Sequence, residues 1–272
     1  MRSDLEKYEA LKRHLSGLGR AAVAFSGGVD SSFLLKVCRD VMGGDVVAFT
    51  ADSPFFSKRE RDFSACFCKK LGIRQIVIRI NPLEIEEVRK NVPERCYFCK
   101  KMIFRSFAGA AGGLGITHIL EGGNADDTGD FRPGMRAVRE LGIGSPLLEF
   151  GFTKAEIRAL SRELGLETWD KPSFACTASR FQYGDTITAD DLQLIEKAED
   201  FLADLGFSQR RVRLMRSQGL KSARIEVGEP DLDRILSRRG EISETLAGLG
   251  FDFVSLDLKP FRSGNMNRFK HE

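Results

Sequence analysis

Long apolar runs are missing from this chain of 272 residues. No stretch approaches the ~18 apolar residues that a membrane-spanning helix needs. The opening Met1-Arg2-Ser3-Asp4-Leu5-Glu6-Lys7 has no apolar core of a secretory signal, so a cytoplasmic protein is expected. A charge excess is missing too. Net charge is +3, from 42 Lys and Arg against 39 Asp and Glu, and no segment is dense in Lys and Arg. That argues against a dedicated nucleic-acid binder. The sequence also lacks internal repeats, low-complexity segments and the Gly-Lys-Ser/Thr ending of a Walker A loop. With no export route, the six cysteines are expected to be reduced thiols that serve packing, metal binding or catalysis.

What is present suits a globular enzyme. Hydrophobic residues make up 42% and charged residues 30%, enough for a sizeable core. Helical periodicity over 4–18 places Leu5, Tyr8, Leu11 and Leu15 on one face. Short apolar runs at 21–25, 45–50, 75–80 and 117–120 read as strands and alternate with helices at 31–41, 57–71 and 99–111. This order implies βαβ units and a parallel α/β sheet with ligands outside the carboxyl ends of its strands. A helix over 153–164 opens with Thr153 and Glu156 in capping-box spacing. A long polar segment, 170–185, reads as a functional loop or linker. Beyond Thr186 the pattern becomes α-β-β-α-β: a helix at 188–205, strands near 211–216 and 222–227, a helix over 230–248 and a strand at 251–258. We therefore expect two domains, 1–184 and a small α+β domain over 185–272.

The segment Ser26-Gly27-Gly28-Val29-Asp30-Ser31-Ser32 lies where the first strand meets a helix. Unpaired N–H groups and the positive end of the helix dipole make such a junction an anion site. Glycines let the backbone approach a phosphate, and the serines add hydroxyl donors. Asp30 is an odd choice for a pure anion site, and fits if it holds Mg²⁺ or orients the loop.

The cysteines divide. Cys38 falls on an apolar helix face and reads as core. Cys66 and Cys68 are two apart on a helix and point to different sides, which disfavours a shared zinc ion. Cys96-Tyr97-Phe98-Cys99 follows a non-helical lead-in, and Cys176 sits in the long loop. Three such thiolates can hold an iron–sulfur cluster with one iron left without a protein ligand. A structural pair plus an unrelated thiol is the other reading. Arg211 and Arg213 alternate along a strand and face one side, suited either to a phosphate monoester or to a solvated strand face.

The 26–32 loop closely resembles that of the PP-loop ATP-pyrophosphatases, which split ATP between the α and β phosphates and pass AMP to a substrate. Further motifs narrow the likeness: Glu-Arg-Cys-Tyr-Phe-Cys-Lys at 94–100, Gly-Gly-Asn-Ala-Asp-Asp at 122–127, Cys-Thr-Ala-Ser-Arg-Phe at 176–181 and Phe-Arg-Ser-Gly-Asn-Met-Asn at 261–267. Across about residues 5–267 the chain resembles the LarE family, ATP-dependent sulfur transferases of nickel-pincer cofactor synthesis. That resemblance implies a pyridinium biscarboxylic acid mononucleotide as substrate, ATP and Mg²⁺ as cofactors, and a homo-oligomer. It implies nucleotide contacts from Ala24, the whole loop 26–32, Thr50 with the residues to Ser53, and Gly122, Gly123 and Asn124. It places substrate phosphate at Ser179, Arg180, Arg211 and Arg213, and a second Mg²⁺ at Glu199, assisted by Glu229 or Asp231. Arg59 and Arg61 are expected to be solvated helix charges.

Family members either sacrifice the sulfur of one cysteine, at the position of Cys176, or carry three cysteines and a [4Fe–4S] cluster bearing an extra sulfide. Cys96, Cys99 and Cys176 favour the cluster version, with sacrifice of Cys176 as the alternative. A tRNA thiolase is opposed by the missing basic surface. An ammonia-using synthetase would need a glutaminase partner, and a nucleotide-binding or metal-storage module would not need this loop.

Overall fold

The computed structural model describes residues 4–129, 133–172 and 175–262. In chain order the elements are α1 (Asp4–Ser16), β1 (Ala21–Ala24), α2 (Val29–Met42), β2 (Val46–Asp52), α3 (Lys58–Lys70), β3 (Arg74–Arg79) and α4 (Glu86–Arg89). There follow α5 (Arg95–Gly112), β4 (His118–Leu120), α6 (Pro133–Glu140), α7 (Pro146–Glu149), α8 (Lys154–Glu163) and α9 (Ala189–Asp204). The chain closes with β5 (Arg210–Ser217), β6 (Leu220–Val227), α10 (Leu232–Ser237), α11 (Arg239–Leu249) and β7 (Phe253–Leu256).

Packing divides the chain into two units, Met1–Ile85 with Glu94–Phe174, and Glu86–Pro93 with Ala175–Glu272. The division falls ten residues before the expected 184/185 boundary, because the Gly184 N–H donates to the Asn91 carbonyl and the Ile187 N–H to the Arg89 carbonyl. These bonds tie α4 and the segment after it to the later part of the chain.

The first unit is a four-stranded parallel sheet in the order β3-β2-β1-β4. Side chains alternate across it. Ala21, Val23 and Phe25 face a core with Phe33 and Leu34 of α2 and Phe67 of α3. Ala22, Val47 and Phe49 face a second core with Phe104 and Phe107 of α5. A sheet covered on both faces explains why its strands read as continuous apolar runs. The order places β1 between β2 and β4, a topological switch, the place where open α/β sheets take their ligands beyond the carboxyl ends of the strands. The expected α/β class is what the structure has.

In the second unit β5 and β6 pair antiparallel and β6 pairs parallel with β7, giving the expected α-β-β-α-β order. The single helix read over 230–248 is two, α10 and α11, parted at Arg238, whose φ −107 and ψ 16 leave the helical region. Leu5, placed on the apolar face of α1, is 68% exposed, whereas Leu11 and Leu15 are fully buried. Among the described residues no helix is long and apolar enough to cross a membrane.

Candidate active site

β1 delivers the chain into the glycine loop. Gly27 turns at φ +73, a region glycine enters without strain, and Gly28 caps α2 in extended conformation. The Ser31 hydroxyl donates to the Gly28 carbonyl (3.2 Å) and lies 3.1 Å from the Ser26 hydroxyl. Ser26 is exposed, but Ser32 is completely buried and its hydroxyl has no protein partner. Ser31 is buried as well, so of the three loop serines only Ser26 is exposed.

The Gly122-Gly123-Asn124 turn, expected to close over the nucleotide, packs against the first turn of α2. A Cβ on Gly122 would lie 2.9 Å from the Ser31 nitrogen, so only glycine fits. Buried Glu121 shapes this turn by accepting from the Gly123 N–H (2.9 Å) and the Ser145 hydroxyl (2.7 Å). The loop at the end of β1 and the loop at the end of β4 thus meet at the switch point. Ala24 is half-buried at the end of β1. Thr50 is buried; its hydroxyl donates to the Phe25 carbonyl (3.1 Å) and accepts from Gln75 (2.9 Å), so it is committed inside the unit.

Asp30 is the charged member of the loop. One carboxylate oxygen accepts from the Lys154 ammonium at 2.6 Å; the other, Oδ1, is buried with no protein partner. Burial raises the Asp30 carboxyl above its ordinary range, Lys154 pulls it back and Asp127 adds to the rise. A buried acceptor left open, in a carboxyl held up by desolvation, is the donor chemistry a hard dication satisfies. The residues present therefore fit Mg²⁺ at Asp30.

Two lysines carry no signal in the sequence. Lys154 opens α8 beside the capping box of Thr153 and Glu156, and its N–H donates to Asp126 (2.9 Å). Lys171 donates to the Gly27 carbonyl (3.0 Å) and to Glu60 (2.8 Å). The partners of their ammonium groups lie more than 100 residues away, so no local pattern exposes them. Arg61 is not merely solvated: it donates to the Phe56 carbonyl (2.7 Å) and faces Asp52 at 3.5 Å, tying down the turn after β2. Arg59 is exposed as expected.

All six cysteines are thiols rather than disulfides. Burial pushes Cys38 and Cys68 up to about 12, which suits core thiols, while Cys66 points outward. α5 starts at Arg95, four residues earlier than expected, so Cys96 and Cys99 share its first turn instead of a loop. Their i,i+3 spacing puts two half-buried thiols side by side. Cys176, also half-buried, belongs to the second unit. Among the described residues no three His, Cys, Asp or Glu side chains are gathered as a metal site.

In the second unit a buried charge cluster forms around the turn 177–180. Arg180, 2% exposed, grips both oxygens of Glu199 (2.7 and 2.8 Å) and donates to the carbonyls of Ala175 and Cys176 and to the Ser179 hydroxyl. Glu199 also accepts from the Val212 N–H at 2.9 Å. Burial opposes the charge on Glu199, but Arg180, then Arg211 and the Val212 N–H, outweigh it and hold the carboxyl below its ordinary range. Asp231 pairs with Arg234 at 2.9 Å. Arg213 donates to the Ser179 carbonyl and to buried Glu226, 2.7 Å each. Arg211 donates to the Arg210 carbonyl (2.6 Å) and stacks on Phe261 at 4.7 Å. Burial, then the charges of Arg180 and Arg213, push its guanidinium down to about 9, with Glu199 and Glu226 pulling the other way. The two arginines are thus buried rather than on a solvated strand face. Crowded guanidiniums of this kind are relieved by a bound anion. Of the last motif only Phe261 and Arg262 are described; Ser263 to Asn267 lie outside the described residues.

Fold and loop together define a PP-loop type α/β nucleotide-binding domain, and residues 6–111 match the asparagine synthase family. An uncharacterised protein of Synechocystis is 39% identical over 96% of this chain and 97% of its own length. The pyridinium-3,5-bisthiocarboxylic acid mononucleotide synthase of Lactiplantibacillus plantarum is 37% identical, covering 96% and 94%. An uncharacterised protein of Methanocaldococcus jannaschii is 31% identical over 89% and 90%. The chain belongs to the LarE family, that of the pyridinium-3,5-bisthiocarboxylic acid mononucleotide synthases.

Proposed function

We propose that this protein is an ATP-dependent sulfur transferase that converts a carboxylate of a pyridinium biscarboxylic acid mononucleotide into a thiocarboxylate. The observation that carries it is the switch point itself, where the glycine loop and the Gly122 turn meet beside a half-satisfied Asp30. The identity to the Lactiplantibacillus plantarum synthase supports the substrate class.

The chemistry follows from a poor leaving group. A carboxylate does not exchange oxygen for sulfur, because oxide does not leave. One carboxylate oxygen attacks the α-phosphorus of ATP and pyrophosphate departs. The α2 N-terminus and Gly28 N–H take the developing negative charge of the pyrophosphate. Mg²⁺ on Asp30 would neutralise further phosphate charge. A sulfur nucleophile then attacks the acyl carbon of the adenylate, and AMP leaves with the former carboxylate oxygen. Arg180, Arg211, Arg213 and Ser179 hold the phosphate of the mononucleotide. Arg180 is itself fixed by Glu199.

Cys176 is the sulfur site. A [4Fe–4S] cluster held by Cys96, Cys99 and Cys176 is the proposed donor; in support, these three thiols are half-buried whereas Cys38 and Cys68 are sealed in the core. Such a cluster, when bound, supplies a sulfide on the iron without a protein ligand. The alternative source is the Cys176 sulfur itself, which would leave dehydroalanine. A cytoplasmic setting keeps these thiols reduced, and a homo-oligomer is part of the proposal.

The test is to incubate the protein with Mg-ATP and the mononucleotide. AMP, pyrophosphate and a thiocarboxylated product, each dependent on the mononucleotide, are expected. ATP bound tightly without turnover would instead indicate a nucleotide-binding module. Salt-sensitive binding of tRNA with thiolation of it would indicate a tRNA thiolase.

A further inference from the structure

Of the polar groups around the glycine loop, Lys171 is the one whose position the proposed chemistry leaves unexplained. It lies in the segment after α8, and its side chain is only 16% exposed. The ammonium donates to the Gly27 carbonyl at 3.0 Å and to Glu60 at 2.8 Å, and it lies 3.8 Å from the centre of the Phe63 ring. A cation inside a phosphate loop would ordinarily face the phosphate. This one instead holds a backbone carbonyl of the loop, and its charge is matched by a carboxylate on α3.

The peptide plane gives the reason. The peptide unit is planar and trans, so the Gly27 carbonyl and the Gly28 N–H point in opposite directions. Whatever fixes the carbonyl on the α3 side fixes the N–H on the other side. Gly27 sits at φ +73 and has no side chain to bias it, so this peptide is among the easiest in the chain to flip. A flip would replace a donor with a carbonyl oxygen, which repels phosphate. The Gly28 N–H makes only a long 3.4 Å bond to the Ser26 hydroxyl, too weak to set the plane by itself.

We infer that Lys171, anchored by Glu60 and the Phe63 face, is a positioning residue that locks the Gly27–Gly28 peptide so that its N–H is presented to the pyrophosphate of ATP. This deepens the proposed function and rests on it. The lock has a consequence that simple electrostatics reverses. Glu60 is a negative charge near a site for a polyanion, so its removal should tighten ATP binding if charge alone mattered. If Glu60 anchors the lock, its removal weakens binding.

The experiment compares wild type with Lys171→Met, which keeps the stem on Phe63, and with Glu60→Gln. Apparent affinity for Mg-ATP, inhibition by pyrophosphate, AMP binding and thermal melting are measured for each. Lys171→Met is expected to weaken ATP and pyrophosphate by about tenfold, the order of one charge-assisted hydrogen bond. Glu60→Gln is expected to move both in the same direction by less, and AMP, which lacks the leaving phosphates, is expected to bind as in wild type. Weaker ATP binding in Lys171→Met with unchanged or tighter binding in Glu60→Gln would overturn the lock and make Lys171 a direct phosphate contact. Wild-type affinities in both variants would also overturn it. A wild type that forms no AMP would instead remove the functional reading itself. Should Lys171→Met fail to melt cooperatively, Glu60→Gln alone still decides, because the sign of its effect separates the two accounts.

Discussion

Asp30→Asn is expected to lower AMP formation by roughly 10²–10³-fold, the scale seen when one preorganised charge-stabilising group is removed from an active site. The substitution keeps the volume of the side chain, so the first turn of α2 and its contact with Gly122 are preserved. What it removes is the negative charge, and with it the oxygen that has no protein partner. The obvious competing explanation is that Asp30 only serves as the partner of Lys154. The two are separable. The Lys154–Asp30 pair is partly exposed, with side chains 31% and 22% accessible, so its loss costs at most about 1 kcal/mol of stability. On the metal account, Lys154→Met leaves most of the activity while Asp30→Asn removes it, and Asp30→Asn also raises the Mg²⁺ concentration needed for what remains. Equal losses in both variants, with no change in Mg²⁺ requirement, would reduce Asp30 to an ion-pair partner. Product is measured as AMP released from Mg-ATP in the presence of the mononucleotide.

Cys176→Ala is expected to separate the two half-reactions: adenylation continues and thiocarboxylate formation stops. The expectation depends on how residue 176 is held. Its carbonyl accepts from the Ser179 N–H (3.0 Å), the Ser179 hydroxyl (2.9 Å) and Arg180 (3.2 Å). The turn is therefore fixed by backbone bonds that alanine retains. Arg180 keeps its grip on Glu199, and the buried charge cluster of the second unit survives the substitution. AMP and pyrophosphate should still form, with the acyl-adenylate hydrolysing back to carboxylate. A Cys176→Ala protein that still produced thiocarboxylate would place the sulfur elsewhere. Cys96→Ala distinguishes the two sulfur sources. Loss of iron and of thiolation together favours a cluster, whereas one turnover per chain with dehydroalanine at 176 favours sacrifice.

Local chemistry is legible in the sequence, and long-range pairing is not. The glycine loop can be read because an apolar strand, a positive-φ glycine and a helix start all lie within a dozen residues. The parallel sheet is legible for a related reason, since strands buried on both faces must be apolar throughout. By contrast, nothing near Lys171 announces Gly27 and Glu60, which lie 144 and 111 residues away. Glu199 shows the same limit from the other side. An acid in the middle of a helix does not reveal whether it faces a cation, a metal or solvent, and in the fold Arg180 takes it. Glu226 on β6 receives the Arg213 guanidinium, yet one acid in a strand carries no spacing that would mark it. The start of α5 reads late in the sequence because Arg95 and Cys96 give no capping signal; Glu94 precedes them without a side-chain cap bond.

The measurement that bears most directly on the central claim follows oxygen rather than sulfur. The mononucleotide is prepared with heavy oxygen in its carboxylates and incubated with the protein and Mg-ATP in ordinary water, and the AMP produced is examined by mass spectrometry. Adenylation of the carboxylate requires that one labelled oxygen move from the substrate to the phosphate of AMP. AMP free of label would mean that ATP is cleaved by water without activating the carboxylate, and would contradict an adenylating sulfur transferase.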